Sequence, residues 1–102
     1  METWLPYRGT GYDVSDLGNV RNSKTGRILK PWSTGAGYLK VQIGPNRFRH
    51  RVHRLVADVF CEKKDGTEVD HLNKIRTDNR AVNLEYCTHQ ENCIRKFKNV
   101  GV

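Results

Sequence analysis

Long apolar runs are missing from this sequence of 102 residues. No stretch reaches the roughly 18 consecutive apolar residues that a membrane-spanning helix requires. The N-terminal stretch METWLPYRGTGYD also lacks the basic start and apolar core of a secretion signal. These absences argue against a membrane protein and against secretion, so we expect one small cytoplasmic domain.

Cysteine is scarce, and the three cysteines are Cys61, Cys87 and Cys93. They form no C-x-x-C pair, and an odd number without a secretion signal argues against a disulfide framework. A zinc site needs a fourth ligand such as His53 or His89, at a spacing that zinc motifs do not use. We therefore expect free thiols, with a zinc-stabilised structural domain as the disfavoured alternative.

Acidic residues are outnumbered, with 11 Asp and Glu against 18 Lys and Arg, which gives a net charge of +7. The excess lies mostly in residues 1–50, where eight basic residues stand against three acidic ones. A basic surface on a small domain is typical of nucleic-acid binding, because it neutralises backbone phosphates. A basic soluble protein without such a partner is the alternative that charge alone leaves open.

Short strands and turns are predicted for the first half of the chain. Residues 20–22 and 27–29 form a hairpin signal, with Gly26 at a position that favours left-handed backbone. Residues 38–43 and 47–52 each alternate apolar and polar side chains, which is the period of a half-buried strand. These two segments are therefore expected to form an antiparallel pair.

The second half mixes helix and strand signals. Residues 53–60 space their apolar side chains as a short amphipathic helix does. Residues 68–72 and 82–87 are predicted to be extended, with the alternation of 82–87 typical of a strand. Thr88 and Glu91 form a capping box that predicts the start of a final helix. The fold class is therefore α+β, with an N-terminal antiparallel sheet followed by a ββα unit.

Four polar residues lie on this predicted ββα unit, namely Asp70, His71, Asn83 and Asn92. Neighbouring strand residues point to opposite faces, so Asp70 and His71 serve one site only where the strand ends or bulges. Carboxylate and amide oxygens suit a hard divalent cation, and a neutral imidazole accepts a proton from water. A turn-forming polar loop without a site is the alternative, because Asp and Asn cluster in turns.

The segment VDHLNKIRTDNRAVNLEYCTHQEN resembles the HNH endonuclease motif, in the version whose last His is replaced by Asn. The segment HRLVADVF resembles the helix that precedes this motif in intron-encoded phage and bacterial enzymes. An N-terminal nuclease-associated module is resembled by YDVSDLGNVRNSKTGRILKPW. The resemblance implies a β-rich DNA-contacting module at residues 1–52 and an HNH ββα-metal module at 53–102.

The resemblance also implies a role for each polar residue of the motif. His71 matches the general base, Asp70 and Asn92 match the two ligands of a single Mg²⁺ or Mn²⁺ ion, and Asn83 matches the residue that supports the His71 loop. The implied activity is metal-dependent DNA endonuclease, cutting one strand per active site, so that a monomer nicks and a homodimer cuts both strands. A non-catalytic DNA-binding module on the same fold is the alternative. The resemblance further implies a phage or mobile-element gene, expressed in the bacterial cytoplasm.

Double-stranded DNA is the expected partner, and basic side chains on the hairpins and beside the site are the candidate contacts. Protection of sheet edges by charge is the alternative explanation for them. The candidates are Arg21, Lys24, Arg27, Lys40, Arg47, Arg49, Arg51, Arg76 and Arg80. The tryptophans and most tyrosines, Trp4, Trp32, Tyr7, Tyr12 and Tyr38, are expected to pack in the core or the sheet.

Overall fold

A computed structural model describes residues 1–33, 35–63 and 66–91. Within these ranges the chain forms eight short strands and one helix longer than a single turn. The strands are β1 (Trp4–Pro6), β2 (Tyr12–Ser15), β3 (Val20–Asn22), β4 (Trp32–Ser33), β5 (Leu39–Ile43), β6 (Phe48–Arg51), β7 (Glu68–His71) and β8 (Leu84–Cys87), and the helix is α1 (Val52–Phe60). No helix in the described part of the chain is long and apolar enough to span a membrane.

The first sheet contains β1, β2 and β3 in that order, all antiparallel. The predicted hairpin after β3 is present, with the Asn22 N–H donating to the Arg27 carbonyl over 2.9 Å. Gly26 has a φ of 73°, the left-handed backbone that the sequence predicted. The second arm of this hairpin is a single bridge between Arg21 and Ile28 rather than a full strand.

The second sheet contains β4, β5 and β6, and it confirms the predicted antiparallel pair. β5 and β6 run in register from Lys40 opposite Arg51 to Ile43 opposite Phe48. Alternation along β5 buries Val41 and Ile43 and leaves the residue between them exposed. One face of this ribbon is therefore exposed to solvent, and the apolar side chains of the other face pack in the core.

The helix α1 follows β6 directly and confirms the predicted amphipathic helix. Its buried side chains include Val52, Leu55 and Val56, which share one hydrophobic cluster with Val14 and Val20 of the first sheet. Both halves of the chain therefore contribute to the same core, and the second half is held at a fixed position against the first.

The antiparallel pair of β7 and β8 places His71 opposite Leu84. The prediction of a strand over 82–87 is wrong at its start. Ala81–Asn83 forms a 3₁₀ turn that the Asn83 N–H closes by donating to the Arg80 carbonyl over 2.9 Å. Val82 is therefore 80% exposed, although its place in the alternation predicted a buried side chain.

The predicted capping box is present after β8. The Thr88 N–H donates to Glu91 Oε1 over 3.1 Å, and the Glu91 N–H donates to Thr88 Oγ1 over 3.0 Å. Helical backbone begins at residue 89. Asn92, Cys93 and the rest of the predicted final helix lie outside the described residues.

Candidate active site

Asp70 and His71 occupy the end of β7, and both side chains are buried. The strand ends here because the chain turns, with the Lys74 N–H donating to the His71 carbonyl over 2.9 Å. The Leu72 N–H donates to the Asn83 carbonyl over 2.8 Å and ties the start of the turn to the 3₁₀ segment. The two neighbouring side chains therefore lie where alternation along the strand stops.

The imidazole of His71 is oriented by Asn79. His71 Nε2 lies 2.8 Å from Asn79 Oδ1, and both side chains are buried. A carboxamide oxygen only accepts, so Nε2 must carry the proton of this bond. In the neutral ring the lone pair is then on Nδ1, which has no hydrogen-bond partner recorded among the residues that the structure describes. His71 thus presents a basic nitrogen.

Two further rings pack against His71. The ring centroid of His53 lies 4.8 Å from that of His71, and the ring of Tyr38 lies 5.9 Å away. Tyr38 also stacks on His53 at 5.1 Å. Burial, with a smaller contribution from the neighbouring His71, lowers the pKa of His53 from 6.5 to about 3. His53 is therefore an uncharged side chain that lines the site at neutral pH.

The carboxylate of Asp70 is 7% exposed, and an ammonium group lies beside it. Lys74 Nζ is 3.6 Å from Asp70 Oδ1, so a cation occupies the neighbourhood of this carboxylate in the folded chain. No group of three His, Cys, Asp or Glu that suits a metal occurs within the described ranges. A buried carboxylate oxygen is a hard donor that fits Mg²⁺ or Mn²⁺, which retain several waters.

Asn83 fastens the loop that joins the turn after β7 to the 3₁₀ segment. Its Nδ2 donates to Asn73 Oδ1 over 2.9 Å and to the Asp78 carbonyl over 2.8 Å. Its Oδ1 accepts from the Asn73 N–H over 3.0 Å. All three bonds reach residues 73–78, just before Asn79, so the amide of Asn83 fixes the path of the chain towards the partner of His71.

Asn92, the second predicted metal ligand, lies outside the described residues. Its ligand role stays a prediction.

Several predicted DNA-contacting arginines have partners within the chain. Arg21 Nε donates to Asp13 over 3.0 Å, and its guanidinium lies 4.2 Å from the ring centroid of Trp4. Arg80 forms two hydrogen bonds of 2.8 Å to Asp78. These bonds from Arg80 are the main reason that the pKa of Asp78 is lowered, so the pair stays ionised near neutral pH.

Two more arginines border the ring of Tyr38 beside the site. The guanidinium carbons of Arg51 and Arg76 each lie 4.9 Å from its centroid. Arg76 also donates to the carbonyl of Ala36. Because Tyr38 also packs against His53 and His71, these two guanidinium groups lie at the edge of the candidate site.

The side chains of the remaining predicted contacts have no hydrogen bond or ion pair recorded within the described ranges, and these residues are Lys24, Arg27, Lys40, Arg47 and Arg49. All are exposed except Lys40, which is half-buried. Their charges are therefore available to an anionic partner.

Sequence reasoning missed Asn79, Lys74 and the approach of Tyr38 to the site. Asn79 lies within the segment that resembles the HNH motif, but nothing in its spacing distinguishes a buried hydrogen-bond acceptor from a turn residue. Trp32 lies on the short strand β4 of the second sheet and is 41% exposed, so it belongs to the sheet and not to the buried core.

Comparisons with known proteins agree with this architecture. Residues 50–93 match the family described as HNH endonuclease, and residues 2–44 match the NUMOD4 motif. A relative from Acanthamoeba polyphaga mimivirus, "Uncharacterized HNH endonuclease L247", is 40% identical over 100 residues, covering 89% of this chain and 25% of its own length. "DNA endonuclease I-HmuI" of Bacillus phage SP01 is 36% identical over 84 residues, covering 79% of this chain and 48% of its own length.

A solved structure, "DNA binding and cleavage by the HNH homing endonuclease I-HmuI", superposes with a TM-score of 0.88 at 30% identity. The match covers 98% of this chain and 60% of that one. This chain thus spans between a quarter and a half of the curated relatives named above. The predicted α+β fold is confirmed. The chain therefore matches the HNH endonuclease family over residues 50–93, with a match to the NUMOD4 motif ahead of it at residues 2–44.

Proposed function

We propose that this chain hydrolyses phosphodiester bonds of double-stranded DNA, one strand per active site, with a single Mg²⁺ or Mn²⁺ ion. The observation that carries the proposal is the buried pair at the end of β7, with His71 held through Nε2 and Asp70 beside it. The match of residues 50–93 to the HNH endonuclease family supports the same chemistry.

His71 is the general base of the proposed reaction. Because Nε2 donates to Asn79, the lone pair of Nδ1 accepts a proton from the attacking water. His53 remains neutral beside it, since its pKa is about 3, and therefore adds no positive charge that would oppose proton uptake by His71. The stacked Tyr38 ring closes the same side of the site and limits how far either imidazole can turn.

Asp70 and Asn92 are the proposed metal ligands. The carboxylate of Asp70 is a hard oxygen donor that already attracts the ammonium of Lys74, which is the behaviour expected of a cation site. A bound divalent ion supplies charge stabilisation at the scissile phosphate and its leaving oxygen. Asn83 has a supporting role, because its three hydrogen bonds hold the loop that leads to Asn79.

The exposed cations of the hairpins are the proposed DNA surface. Lys24, Arg27, Arg47 and Arg49 carry charges that are accessible to phosphates, and Arg51 and Arg76 extend this surface to the site. One site cuts one strand, so a monomer nicks and a homodimer is needed for a double-strand break. Relatives from a phage and a virus favour action in the cytoplasm of an infected host.

Relaxation of supercoiled plasmid tests the proposal. We expect nicking with Mg²⁺ or Mn²⁺ and none with a chelator. His71→Ala should lower the rate by roughly 10²- to 10⁴-fold, the usual contribution of a general base. The matched control is His89→Ala, which removes an exposed imidazole whose Nδ1 lies 2.6 Å from Glu68 and should leave the rate unchanged. Plasmid that is bound but never relaxed would instead support a non-catalytic DNA-binding module.

Metal binding is tested separately by titrating Mn²⁺ and following its electron paramagnetic resonance signal. Asp70→Ala should weaken binding strongly, because it removes the buried carboxylate donor. Glu62→Gln is the control, since it neutralises an exposed carboxylate away from the site. Equal Mn²⁺ affinity of both variants would contradict the assignment of Asp70.

A further inference from the structure

We propose that Asn79 is a positioning residue for His71, and that the β2–β3 turn of the NUMOD4 motif holds Asn79 in place through Gly18. The inference rests on the proposed function for its catalytic consequence. Its structural part concerns only which nitrogen of His71 carries the proton and what fixes that choice.

The first step is the bond between Asn79 and His71. Neither side chain has appreciable access to water, with exposures of 4% and 5%. The 2.8 Å contact between Asn79 Oδ1 and His71 Nε2 is therefore not replaceable by solvent without local opening. Removing the amide leaves a buried Nε2–H without an acceptor, so the ring either changes its tautomer or turns. In both cases Nδ1 is no longer a fixed base.

The second step is the contact between Gly18 and the backbone of Asn79. Gly18 has a φ of 90°, in the tight turn where its N–H donates to the Ser15 carbonyl over 3.1 Å. A Cβ placed on Gly18 would lie 2.9 Å from the Asn79 carbonyl oxygen and 3.0 Å from Asn79 Cβ. Glycine is therefore needed here for close approach as well as for its backbone angle.

A second bond fastens the same turn to the same loop. The Ala81 N–H donates to the Asp16 carbonyl over 2.8 Å. Asp16 is itself anchored, because its Oδ1 accepts from the Thr3 N–H over 2.8 Å and its N–H donates to the Thr3 carbonyl. These bonds fix the position of the β2–β3 turn. The turn contacts the loop on both sides of residue 80, at Asn79 and at Ala81.

The consequence is a division of labour inside the N-terminal motif. Its exposed cations serve DNA affinity, while its β2–β3 turn serves the geometry of the general base about 50 residues later in the chain. A change at Gly18 should therefore reduce the cleavage rate at saturating protein while leaving DNA affinity nearly unchanged.

Gly18→Ala and Gly11→Ala form a matched pair for this test. Both glycines have left-handed backbone, with φ of 90° and 83°, so alanine meets similar backbone strain at each. A Cβ on Gly11 has no heavy atom within 4 Å, whereas on Gly18 it meets Asn79. Only the Gly18 variant should therefore disturb the active site.

The pair is compared by single-turnover relaxation of supercoiled plasmid with Mg²⁺ and by plasmid affinity without metal. Gly18→Ala should lower the rate by about 10-fold or more, in the range seen when a support of an active-site histidine is lost. Gly11→Ala should cleave at the wild-type rate. Equal rates for the two variants, or a loss at Gly18 that lies wholly in affinity, would overturn the Gly18 part. If Gly18→Ala does not fold, Gly18→Asn replaces it with Gly11→Asn as its control, because Asn tolerates the left-handed backbone while still adding a Cβ.

The link from Asn79 to His71 is tested by nitrogen-15 imidazole spectra of the whole chain without DNA or metal. Wild type should show His71 with its proton on Nε2, and Asn79→Ala should lose this fixed tautomer. Asn79→Asp keeps an acceptor oxygen and should restore the tautomer that Asn79→Ala loses. A proton on Nδ1 in wild type, or the same tautomer in wild type and Asn79→Ala, would overturn the inference.

The spectra also separate this inference from the proposed function. If wild type nicks no plasmid but its His71 tautomer depends on Asn79, the endonuclease assignment fails and the positioning of His71 by Asn79 holds. If wild type nicks plasmid and Asn79→Ala nicks it equally fast, the endonuclease assignment holds and the positioning fails.

Discussion

Polar side chains are used in opposite ways in the loop after β7 and on the hairpins of the first half. In this loop and at its two ends, His71, Asn79 and Asn83 are buried, and each has a hydrogen-bond partner in the chain. On the hairpins, Arg47 and Arg49 are exposed, with no ion pair recorded in the described part of the chain. The comparison indicates that the geometry of the candidate site is fixed by contacts within the chain, whereas the exposed cations keep their charge available for the proposed DNA partner.

The two regions should therefore respond differently to substitution. A buried amide that loses its partners leaves other polar groups unsatisfied, so single changes in the loop should be costly and cooperative. An exposed cation contributes through counterion release, so changes on the hairpins should be small, additive and dependent on salt. Four predictions test this contrast.

Asn83→Ala should have the largest effect on stability. It removes three hydrogen bonds of 2.8 to 3.0 Å and leaves the groups of Asn73 and Asp78 without that partner. We expect a loss of about 3 kcal/mol in the free energy of unfolding. Urea denaturation measures it, with Asn46→Ala as the control because Asn46 is exposed in the β5–β6 turn. A loss similar to that of the control would mean that the amide does not hold the loop.

His53→Phe should change how stability depends on pH. The pKa of His53 is about 3 in the folded chain and 6.5 when exposed, so below pH 6.5 the unfolded chain takes up a proton that the folded chain refuses. Wild-type stability should therefore fall by about 2 kcal/mol between pH 7 and pH 5 from this group alone. The Phe variant keeps a ring against Tyr38 and should lack that part of the fall. Parallel stability profiles for the two proteins between pH 7 and pH 5 would contradict the prediction.

The elements that the sequence predicted well are those fixed by local periodicity. The β5–β6 pair and α1 lie within a few residues of their predicted bounds, because the alternation around Val41 and the helical spacing around Leu55 reflect burial on one side. The capping box at Thr88 was equally local, since both of its hydrogen bonds join residues three apart.

The features that the sequence did not predict depend on contacts between distant segments. Asn79 is a partner of His71 only because the β2–β3 turn and Asn83 fold the loop back. Asn83 itself was placed on a strand, since the alternation of its neighbours outweighed the turn that its backbone closes. The ring of Tyr38 lies 5.9 Å from that of His71 although the two residues are far apart in the chain, and no local pattern encodes such a contact.

On the hairpins, replacing Arg47 and Arg49 together with alanine should reduce the salt dependence of DNA binding. Each cation that contacts a phosphate contributes about one unit to the slope of log affinity against log salt, so we expect a decrease of about two. Titration of a plasmid or a long duplex at several NaCl concentrations measures the slope. Gln42→Ala is the control, because Gln42 is exposed and pairs with Arg49 across the same ribbon. An unchanged slope would place the DNA on another face.

The smallest effect is expected for a cation that already has a partner. Arg80 forms two hydrogen bonds to Asp78, and these hold the pKa of Asp78 low, so the pair is ionised and close to neutral in sum. Replacing both at once, as Asp78→Asn with Arg80→Gln, removes the pair without changing the net charge. The salt slope should stay within error of wild type, since no phosphate neutralisation is lost. A slope lower by about one would show that Arg80 leaves Asp78 for a phosphate. The loop after β7 would then itself contribute a cation to DNA binding, and Arg80 would belong with the hairpin cations.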